Sequence, residues 1–250
     1  MSEVLAIALH SMQGDMARVE QIGMNMANAL TPGYKRGIAM QAPQGASFAA
    51  HLTQAAAVTE GAGTTAPLVE FATDARSGTL KSTGQSLDLA LAGKGHFEVL
   101  TDAGPAYTRG GSFRLDARGR LVTAQGYPVM GAGGEIVLNV SNPSIAANGG
   151  VTSANGDGAL VAQLKVVEFD GNARLQPKGD GLVAAGPGMK LVADDEVQVR
   201  QGFLENSNVS STYEMTTLVH AMRHFESMQK VAQGYDDMLG TAIRKLGETS

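Results

Sequence analysis

The chain has 250 residues, 32 of them glycine, a formal net charge of −5 at pH 7, and neither cysteine nor tryptophan. The lack of cysteine excludes disulfide frameworks, Cys-ligated metals, iron–sulfur clusters and thiol nucleophiles. The acidic balance argues against a nucleic-acid partner. No apolar run reaches the roughly 18 residues of a transmembrane helix, so we expect no membrane insertion.

The first predicted element is a long amphipathic helix over residues 3–30. Its apolar residues recur at alternating steps of three and four, with Asp15 or Met16 in the one irregular position. This pattern is typical of the narrow seam of a coiled-coil-like helix, roughly 40 Å long, and not of a helix that lies on a globular core. We expect Pro32 and Gly33 to end it.

The next segment, residues 37–78, is rich in alanine, glycine, threonine and glutamine and shows little periodicity. It is expected to be an extended connector with one short helix at about 47–58. Beyond it, the pattern changes to short apolar segments separated by turn signals, and the six residues Leu87–Ala92 alternate in the manner of a half-buried strand.

An all-β domain is predicted over residues 79–204, because strands and turns follow one another at short, regular intervals. Residues 141–158 are expected to form a long loop within it. The predicted strands are 87–92, 96–100, 106–109, 112–115, 120–123, 127–130, 135–140, 160–169, 173–176, 181–185, 189–192 and 196–200.

The last predicted element is a second helix over residues 209–246, again with a narrow apolar seam, on the order of 57 Å long. We expect Asn206, Ser207 and Asn208 to cap its start and Gly247 to end it. The seam residues singled out for assembly are Leu218, Met222, Phe225, Leu239 and Ile243.

These elements predict an α+β protein. Neither narrow seam buries much surface alone, so the two terminal helices are expected to pair with each other. Residues 1–36 and 205–250 would then form a coiled-coil-like inner domain, 37–78 a connector, and 79–204 a β-rich outer domain. Apolar residues on the outer flanks of the helix pair would remain for contacts with further copies, and repeated contacts that do not close produce helical assemblies.

Motifs recur along nearly the whole chain. The first runs from Asn25 to Arg36 and contains Asn28 followed by Thr31-Pro32-Gly33-Tyr34-Lys35. The second is Leu204-Glu205-Asn206-Ser207-Asn208-Val209, and Gly78–Gly84, Gly93–Phe97 and Tyr107–Phe113 lie between them. Together these motifs resemble those of the bacterial flagellar rod, hook and hook-associated axial proteins, although His96 stands where that family usually has phenylalanine. The length is that of a rod protein, and the short connector favours the proximal-rod over the distal-rod member.

The resemblance implies a structural subunit of the flagellar basal-body rod, the drive shaft that transmits torque for motility. Such a subunit would leave the cell through the flagellar type III export apparatus without cleavage of a signal peptide. The chain's own start agrees, because it lacks a basic segment ahead of its short apolar run. The subunit would then polymerise with itself and other rod subunits. No cofactor, metal or small-molecule substrate is implied.

The two terminal motifs are expected to serve assembly through Asn28, Thr31, Pro32, Gly33, Tyr34 and Lys35, and through Leu204, Glu205, Ser207, Asn208 and Val209. Pro32 and Gly33 would redirect the chain. Lys35 and Arg36 would pair with acidic groups of a neighbouring subunit. The plainer interpretation is an ordinary helix stop with solvated charges.

No arrangement of nucleophile, base and acid indicates an enzyme. His220 and His224 have the spacing of metal ligands, but no glutamate accompanies them and Arg223 opposes a cation, so we expect solvated or interface histidines. Arg109 and Asp116 are expected to form a weak surface pair. The alternative function is a β-rich surface or adhesin-like binding module with a dimerising helical pair, which a closed dimer would favour.

Overall fold

The computed structural model describes residues 2–40, 70–138, 143–152, 160–170, 175–186 and 188–247. They belong to two units. The helical unit holds Met1–Met26, Gly37–Phe71 and Ser210–Ser250, and the β unit holds Ala27–Arg36 and Ala72–Val209. The protein is therefore α+β with a mostly β middle, as the sequence predicts.

Two long helices, α1 (Ser2–Ala27) and α2 (Ser211–Gly247), lie near the ends of the chain. Their bounds fall within three residues of the predicted ranges, because the apolar spacing that defines a helix is local in sequence. The seam of α1 places Ala8 and Ile22 in buried positions. Over the described residues, neither helix is long and apolar enough to cross a membrane.

The segment after α1 is a tight turn. The Thr31 N–H donates to the Asn28 carbonyl, and the Thr31 hydroxyl donates to the Asn28 side chain, both at 3.1 Å. Pro32 has no N–H with which to continue a helix, and Gly33 adopts a positive φ of 72°. The predicted helix stop is thus confirmed, one turn earlier than expected.

The predicted cap of α2 is wrong. The helix begins at Ser211, and the carbonyl of Ser210 accepts the N–H of Glu214 at 2.9 Å. The side chains expected to cap it, those of Asn206, Ser207 and Asn208, form their hydrogen bonds within the β unit instead. These polar residues therefore stabilise the end of the β unit and do not accept hydrogen bonds from the backbone N–H groups of the helix's first turn.

The described residues contain 19 strands. They are β1 (Gly37–Met40), β2 (Glu70–Thr73), β3 (Leu80–Ser82), β4 (Leu89–Leu91), β5 (His96–Thr101), β6 (Gly104–Thr108), β7 (Arg114–Leu115), β8 (Leu121–Val122), β9 (Met130–Gly131), β10 (Gly134–Glu135), β11 (Ser144–Ile145), β12 (Gly150–Thr152), β13 (Leu160–Gln163), β14 (Val166–Glu168), β15 (Pro177–Gly179), β16 (Leu182–Val183), β17 (Lys190–Leu191), β18 (Val199–Gln201) and β19 (Phe203–Glu205).

A six-stranded antiparallel sheet with the strand order β15-β16-β6-β5-β14-β17 is the largest in the β unit. The last strands return to the first ones, because β19 pairs with β3 and β18 with β4. This return brings Glu205 opposite Leu80. The main hydrophobic core of the β unit includes Leu89, Phe97, Val99, Leu121, Val129, Val151 and Leu164.

Two predicted connecting segments contain regular structure. The predicted loop 141–158 contains β11 and β12, because its two halves pair with each other and β12 also pairs with β13. The predicted connector 37–78 contains β1 and β2 at its two ends. The short helix predicted at 47–58 lies outside the described residues.

Candidate functional site

The two terminal motifs meet in the β unit. The Gly33 N–H donates to the Glu205 carbonyl at 2.7 Å, and the Arg36 N–H donates to Asn208 Oδ1 at 2.7 Å. The Asn208 N–H returns a hydrogen bond to the Tyr34 carbonyl at 3.4 Å. The segment that follows α1 and the segment that precedes α2 therefore run side by side.

Asn208 ties a third segment into the same place. Its side-chain amide donates to the carbonyls of Asp74 (3.1 Å) and Arg76 (2.9 Å) while its oxygen accepts the Arg36 N–H. The amide thus uses its donor and acceptor sides at once, which a residue without both functions could not do. Its role is to join three backbone segments.

Glu205 stands at the centre of the junction, with 1% of its surface exposed. Its Oε1 accepts hydrogen bonds from Lys35 Nζ at 2.5 Å and from the Gly78 N–H at 2.8 Å. Its Oε2 accepts from Arg109 Nε at 2.8 Å and lies 2.7 Å from a second Arg109 nitrogen. We call Lys35, Glu205 and Arg109 the buried triad. Charge-assisted and bidentate contacts of this kind are the strong ones in proteins.

The buried triad adds to one expectation and corrects another. Lys35 pairs with Glu205, an acidic group of its own chain. Arg109 is buried against Glu205, whereas Asp116 pairs with Arg120 at 2.8 Å, so the predicted surface pair of Arg109 and Asp116 is wrong. Asp116 is close to Arg109 in the chain, whereas no local signal points to a carboxylate 96 residues away.

Arg109 is held on its other side by backbone carbonyls. It donates to Gly93 (2.9 Å), Gly95 (2.6 Å) and Leu91 (3.3 Å). With Glu205 these acceptors satisfy the guanidinium fork, so the desolvated charge is fully hydrogen-bonded. Burial lowers the pKa of Lys35, and the hydrogen bond and charge of Glu205 oppose this effect.

Glycines make the junction sterically possible. A Cβ on Gly33, which has a positive φ, would lie 2.2 Å from the Gly110 nitrogen. A Cβ on Gly78 would lie 1.9 Å from the Asn206 carbonyl oxygen, and one on Gly111 would lie 1.6 Å from the Leu89 carbonyl oxygen. The motif glycines are therefore required by close approach of backbone to backbone.

His96 lies beside the buried triad, in a cavity of about 160 Å³ that Lys35 and Arg109 also line. Burial, with the positive charges of Arg109 and Lys35, lowers the pKa of His96 to about 3. Its ring packs edge-on against Phe169 at 5.2 Å, and its buried Nδ1 has no hydrogen-bond partner among the described residues. The ring therefore serves as a neutral packing group in the place that the family resemblance gives to phenylalanine.

The remaining motif residues surround the junction. Leu204 lies on β19 opposite Lys81, and Ser207 accepts the Val209 N–H at 3.2 Å. Pro32 is exposed in the turn after α1. The structure thus brings Gly33, Tyr34, Lys35, Glu205 and Asn208 into direct contact, and places Asn28, Thr31, Pro32, Leu204, Ser207 and Val209 on the segments that lead to them.

Two polar contacts link the helices inside the helical unit. Asn25 Nδ2 donates to Glu214 Oε2 at 3.2 Å, and both residues are buried. Asp15, also buried, lies 2.6 Å from His224 Nδ1. From the sequence, Asp15 was noted only as an irregular position of the seam and Asn25 only as the first residue of a motif, and neither was given a partner. The signal for Asp15 was a polar residue at a position where the α1 seam is otherwise apolar.

The predicted seam residues of α2 differ in exposure. Leu218, Phe225 and Leu239 are half-buried, whereas Met222 and Ile243 are exposed. A groove of about 810 Å³ lies between the helices, and its surface is mostly apolar. Its lining residues are Gln13, Met16, Ala17, Val19, Glu20, Met222, Phe225, Glu226 and Gln229.

The described residues contain no group of three or more His, Asp or Glu side chains that could hold a metal ion. Of the two histidines with metal-ligand spacing, His224 binds Asp15, and His220 is exposed. The geometry of the junction is that of a structural clamp, since every charge in the buried triad is satisfied by another group of the chain.

Comparison with known proteins gives consistent results. Residues 200–245 match the family model described as the flagellar basal body rod FlgEFG protein C-terminal region, and residues 90–153 match the flagellar hook protein FlgE/F/G D1 domain. The chain is 30% identical over 264 residues to the flagellar basal-body rod protein FlgF of Mesorhizobium japonicum, covering both chains fully. It is 32% identical over 263 residues to FlgG of Agrobacterium fabrum, covering 97% of this chain and 98% of that one. It is 35% identical over 237 residues to FlgF of Salmonella typhimurium, covering 89% of each.

Proposed function

The chain belongs to the flagellar basal-body rod protein family, and we propose below how its two units serve the rod. It is a structural subunit of the bacterial flagellar basal-body rod and is located in the flagellum basal body. The family predicted from the motifs, with the proximal-rod type preferred, is confirmed. Family membership decides against the adhesin-like alternative.

We propose that α1 and α2 pair as a coiled-coil-like inner domain and polymerise with copies of this chain and with other rod subunits. The observation that carries this proposal is the number of large apolar side chains that both helices leave exposed. Large exposed apolar surface is typical of a site that another protein covers. The exposed residues are Leu5, Ile7, Leu9, Met16 and Met24 on α1, and Met215, Val219, Met222, Val231, Met238 and Ile243 on α2.

The polar contacts between the helices support a specific pairing. Buried polar partners restrict which registers two helices can adopt, because any slip leaves a desolvated group unsatisfied. Asn25 with Glu214 and Asp15 with His224 would therefore select one register of the inner domain. The half-buried seam residues Leu218, Phe225 and Leu239 would supply apolar contact along it.

The junction in the β unit would serve assembly by holding the motif segments together. Lys35 lies on the segment that follows α1, and Asn208 lies on the segment that precedes α2. The buried triad and the hydrogen bond between Arg36 and Asn208 hold these two segments together. A subunit that transmits torque needs a firm junction here, because loosely held motif segments would shift under load. The domain limits 1–36 with 205–250, 37–78 and 79–204 remain part of this proposal.

We also propose that the subunit is exported by the flagellar type III apparatus without a cleaved signal peptide, and that it has no catalytic activity and binds no nucleic acid or small-molecule substrate. The satisfied charges of the buried triad support the structural role, since a catalytic group needs an accessible reacting atom.

The test is incorporation of a labelled chain into basal bodies. A variant that ends at Val209, and so lacks α2, should keep its β-sheet circular dichroism but be absent from purified basal bodies, whereas the full chain should appear in the rod by electron microscopy. A matched control is the full chain carrying Thr241→Ala, a change on the exposed surface of α2. Incorporation of the truncated variant would overturn the proposed role of the helices.

A further inference from the structure

The exposed sulfur of this chain is concentrated on its two helices. The sequence has 12 methionines and no cysteine, so every sulfur atom belongs to a thioether. Among the described residues six methionines are exposed, five of them on the helices and one in the β unit. The five are Met16 and Met24 on α1 and Met215, Met222 and Met238 on α2, and the sixth is Met189.

Two of these methionines belong to the same surface. Met16 of α1 and Met222 of α2 both line the apolar groove between the helices, with 62% and 53% of their surfaces exposed. We call them the groove methionines. The contact between Asp15 and His224 joins the helices at the same level, since Asp15 precedes Met16 and His224 follows Met222 by two residues. A change at either methionine therefore alters the surface where the helices meet.

The chemistry open to an exposed thioether is oxidation by a peroxide. The sulfur attacks one oxygen of hydrogen peroxide, the O–O bond breaks as the S–O bond forms, and water leaves after proton transfer. The sulfur loses two electrons and the peroxide gains them. The product, methionine sulfoxide, places a polar S–O group where an apolar sulfur was. Exposure selects which methionines react, because the peroxide must reach the sulfur.

We propose that the groove methionines are a peroxide modification site, and that their oxidation keeps the free chain out of the rod until the sulfoxide is reduced. The inference rests on the proposed function, in which the exposed apolar side chains of both helices serve assembly. A sulfoxide on these helices is a polar group that assembly would desolvate, which opposes burial. The modification is reversible, because a methionine sulfoxide reductase returns the thioether and water while a dithiol is oxidised to a disulfide.

The chain contains matched controls for exposure and for location. Met12 and Met228 lie on the same two helices but are half-buried, so they should react more slowly than the groove methionines. Met189 is 46% exposed but lies in the β unit, so its oxidation should leave assembly unchanged. Together these three residues separate the reactivity of a methionine from the consequence of its oxidation.

The reactivity is measured on the full chain treated with dilute hydrogen peroxide. Peptide mass spectrometry should show that Met16 and Met222 gain one oxygen at least fivefold faster than Met12 and Met228. Treatment with the two methionine sulfoxide reductases, one for each sulfoxide epimer, should remove that oxygen. Equal rates at all four methionines would overturn the assignment of the site.

The consequence is measured with glutamine, an unbranched side chain of similar length whose amide oxygen stands in for the sulfoxide oxygen. A labelled chain carrying both Met16→Gln and Met222→Gln should be at least tenfold less abundant in purified basal bodies than the unsubstituted chain. Met189→Gln should be as abundant as the unsubstituted chain. The pair Met16→Leu and Met222→Leu, which is apolar and has no sulfur, should exceed the glutamine pair at least fivefold.

Folding is checked by circular dichroism of each variant. If the glutamine pair misfolds, the leucine pair decides the question in cells treated with peroxide before the rod is built. Treatment should lower the incorporation of the unsubstituted chain at least tenfold and leave that of the leucine pair at its untreated level. An equal loss for both chains would show that the groove methionines are not the cause.

Two further results would overturn the inference. They are normal incorporation of a folded glutamine pair, and a loss with Met189→Gln as large as the loss with that pair. If the unsubstituted chain enters basal bodies while either result holds, the proposed function stands and the modification site is wrong. If the unsubstituted chain is absent from basal bodies, the proposed function fails and this inference fails with it.

Discussion

Replacing Glu205 with Gln tests whether the buried triad holds the junction. Glutamine has the same shape and keeps one oxygen acceptor, but it removes the negative charge that faces Lys35 and Arg109. Both cations are buried, so the variant leaves two desolvated positive charges side by side. Removing one partner of a buried ion pair typically costs about 3–5 kcal/mol, because the other charge stays buried and unpaired.

We expect Glu205→Gln to lower the free energy of unfolding of the β unit by the same amount, about 3–5 kcal/mol, because it disturbs three charge-assisted hydrogen bonds at once. Such a loss is a large share of the stability of an ordinary domain, roughly 5–15 kcal/mol. Urea unfolding of the full chain, followed by circular dichroism of the strands, measures it. The matched control is Glu196→Gln, the same change at an exposed glutamate, which should leave the unfolding midpoint unchanged.

The pH dependence gives an independent check. Burial already lowers the pKa of Lys35, and without the Glu205 charge it should fall further. A lysine whose folded pKa is below its unfolded value near 10.5 binds fewer protons in the folded state, so the Glu205→Gln variant should gain stability as the pH rises towards 10.5. A loss below about 1 kcal/mol, with no such gain at high pH, would refute the view that Glu205 compensates two buried charges.

Three further predictions concern the same unit. Because the pKa of His96 is about 3 when folded and 6.5 when unfolded, the free energy of unfolding should fall by at most about 5 kcal/mol as the pH drops from 6.5 to 3. His96→Phe should reduce this pH dependence, measured as the difference between urea midpoints at pH 7 and pH 4. An unchanged difference contradicts the prediction. Gly33→Ala should lower the free energy of unfolding by more than about 2 kcal/mol, since its Cβ would meet backbone atoms. Gly84→Ala, with a similar φ but open space around it, should lower it by about 1 kcal/mol. Equal losses in thermal unfolding would show that the positive φ, and not the close backbone contact, accounts for the effect. The hydrogen bond from Arg76 lowers the pKa of Asp74, so the stability that the charged Asp74 contributes should be lost as the pH falls below 3.8. Asp74→Asn should therefore remove that part of the acid unfolding curve. A curve that the substitution leaves unchanged contradicts this prediction.

Much of the fold follows from local sequence patterns. The two helices were predictable because apolar spacing of three and four repeats within each of them, and Pro32 with Gly33 marks the end of the first. The predicted loop at 141–158 failed for the opposite reason. Its strands Ser144–Ile145 and Gly150–Thr152 are too short for a periodic signal and exist through pairing with each other and with β13.

The candidate site was predictable in its motifs but not in its contacts. The resemblance named Lys35, Glu205 and Asn208, yet it gave no reason to join them to one another or to Arg109. Asn208 was expected to cap a helix from its position alone, because asparagine before a helical pattern is the usual cap. In the structure its amide instead binds the backbone of two other segments.

The class of the fold, the position of both helices and the family could all be predicted from the amino-acid order, since each is expressed in neighbouring residues. Folding in three dimensions places Lys35, Arg109 and Glu205 in one buried charge centre and brings Asp15 to His224. These pairs could not be predicted, because a buried charge interacts with the nearest group in space and not with the nearest group in the chain. Residues 170 and 209 positions apart in the chain become neighbours only when the return of the last strands and the packing of the helices bring them together.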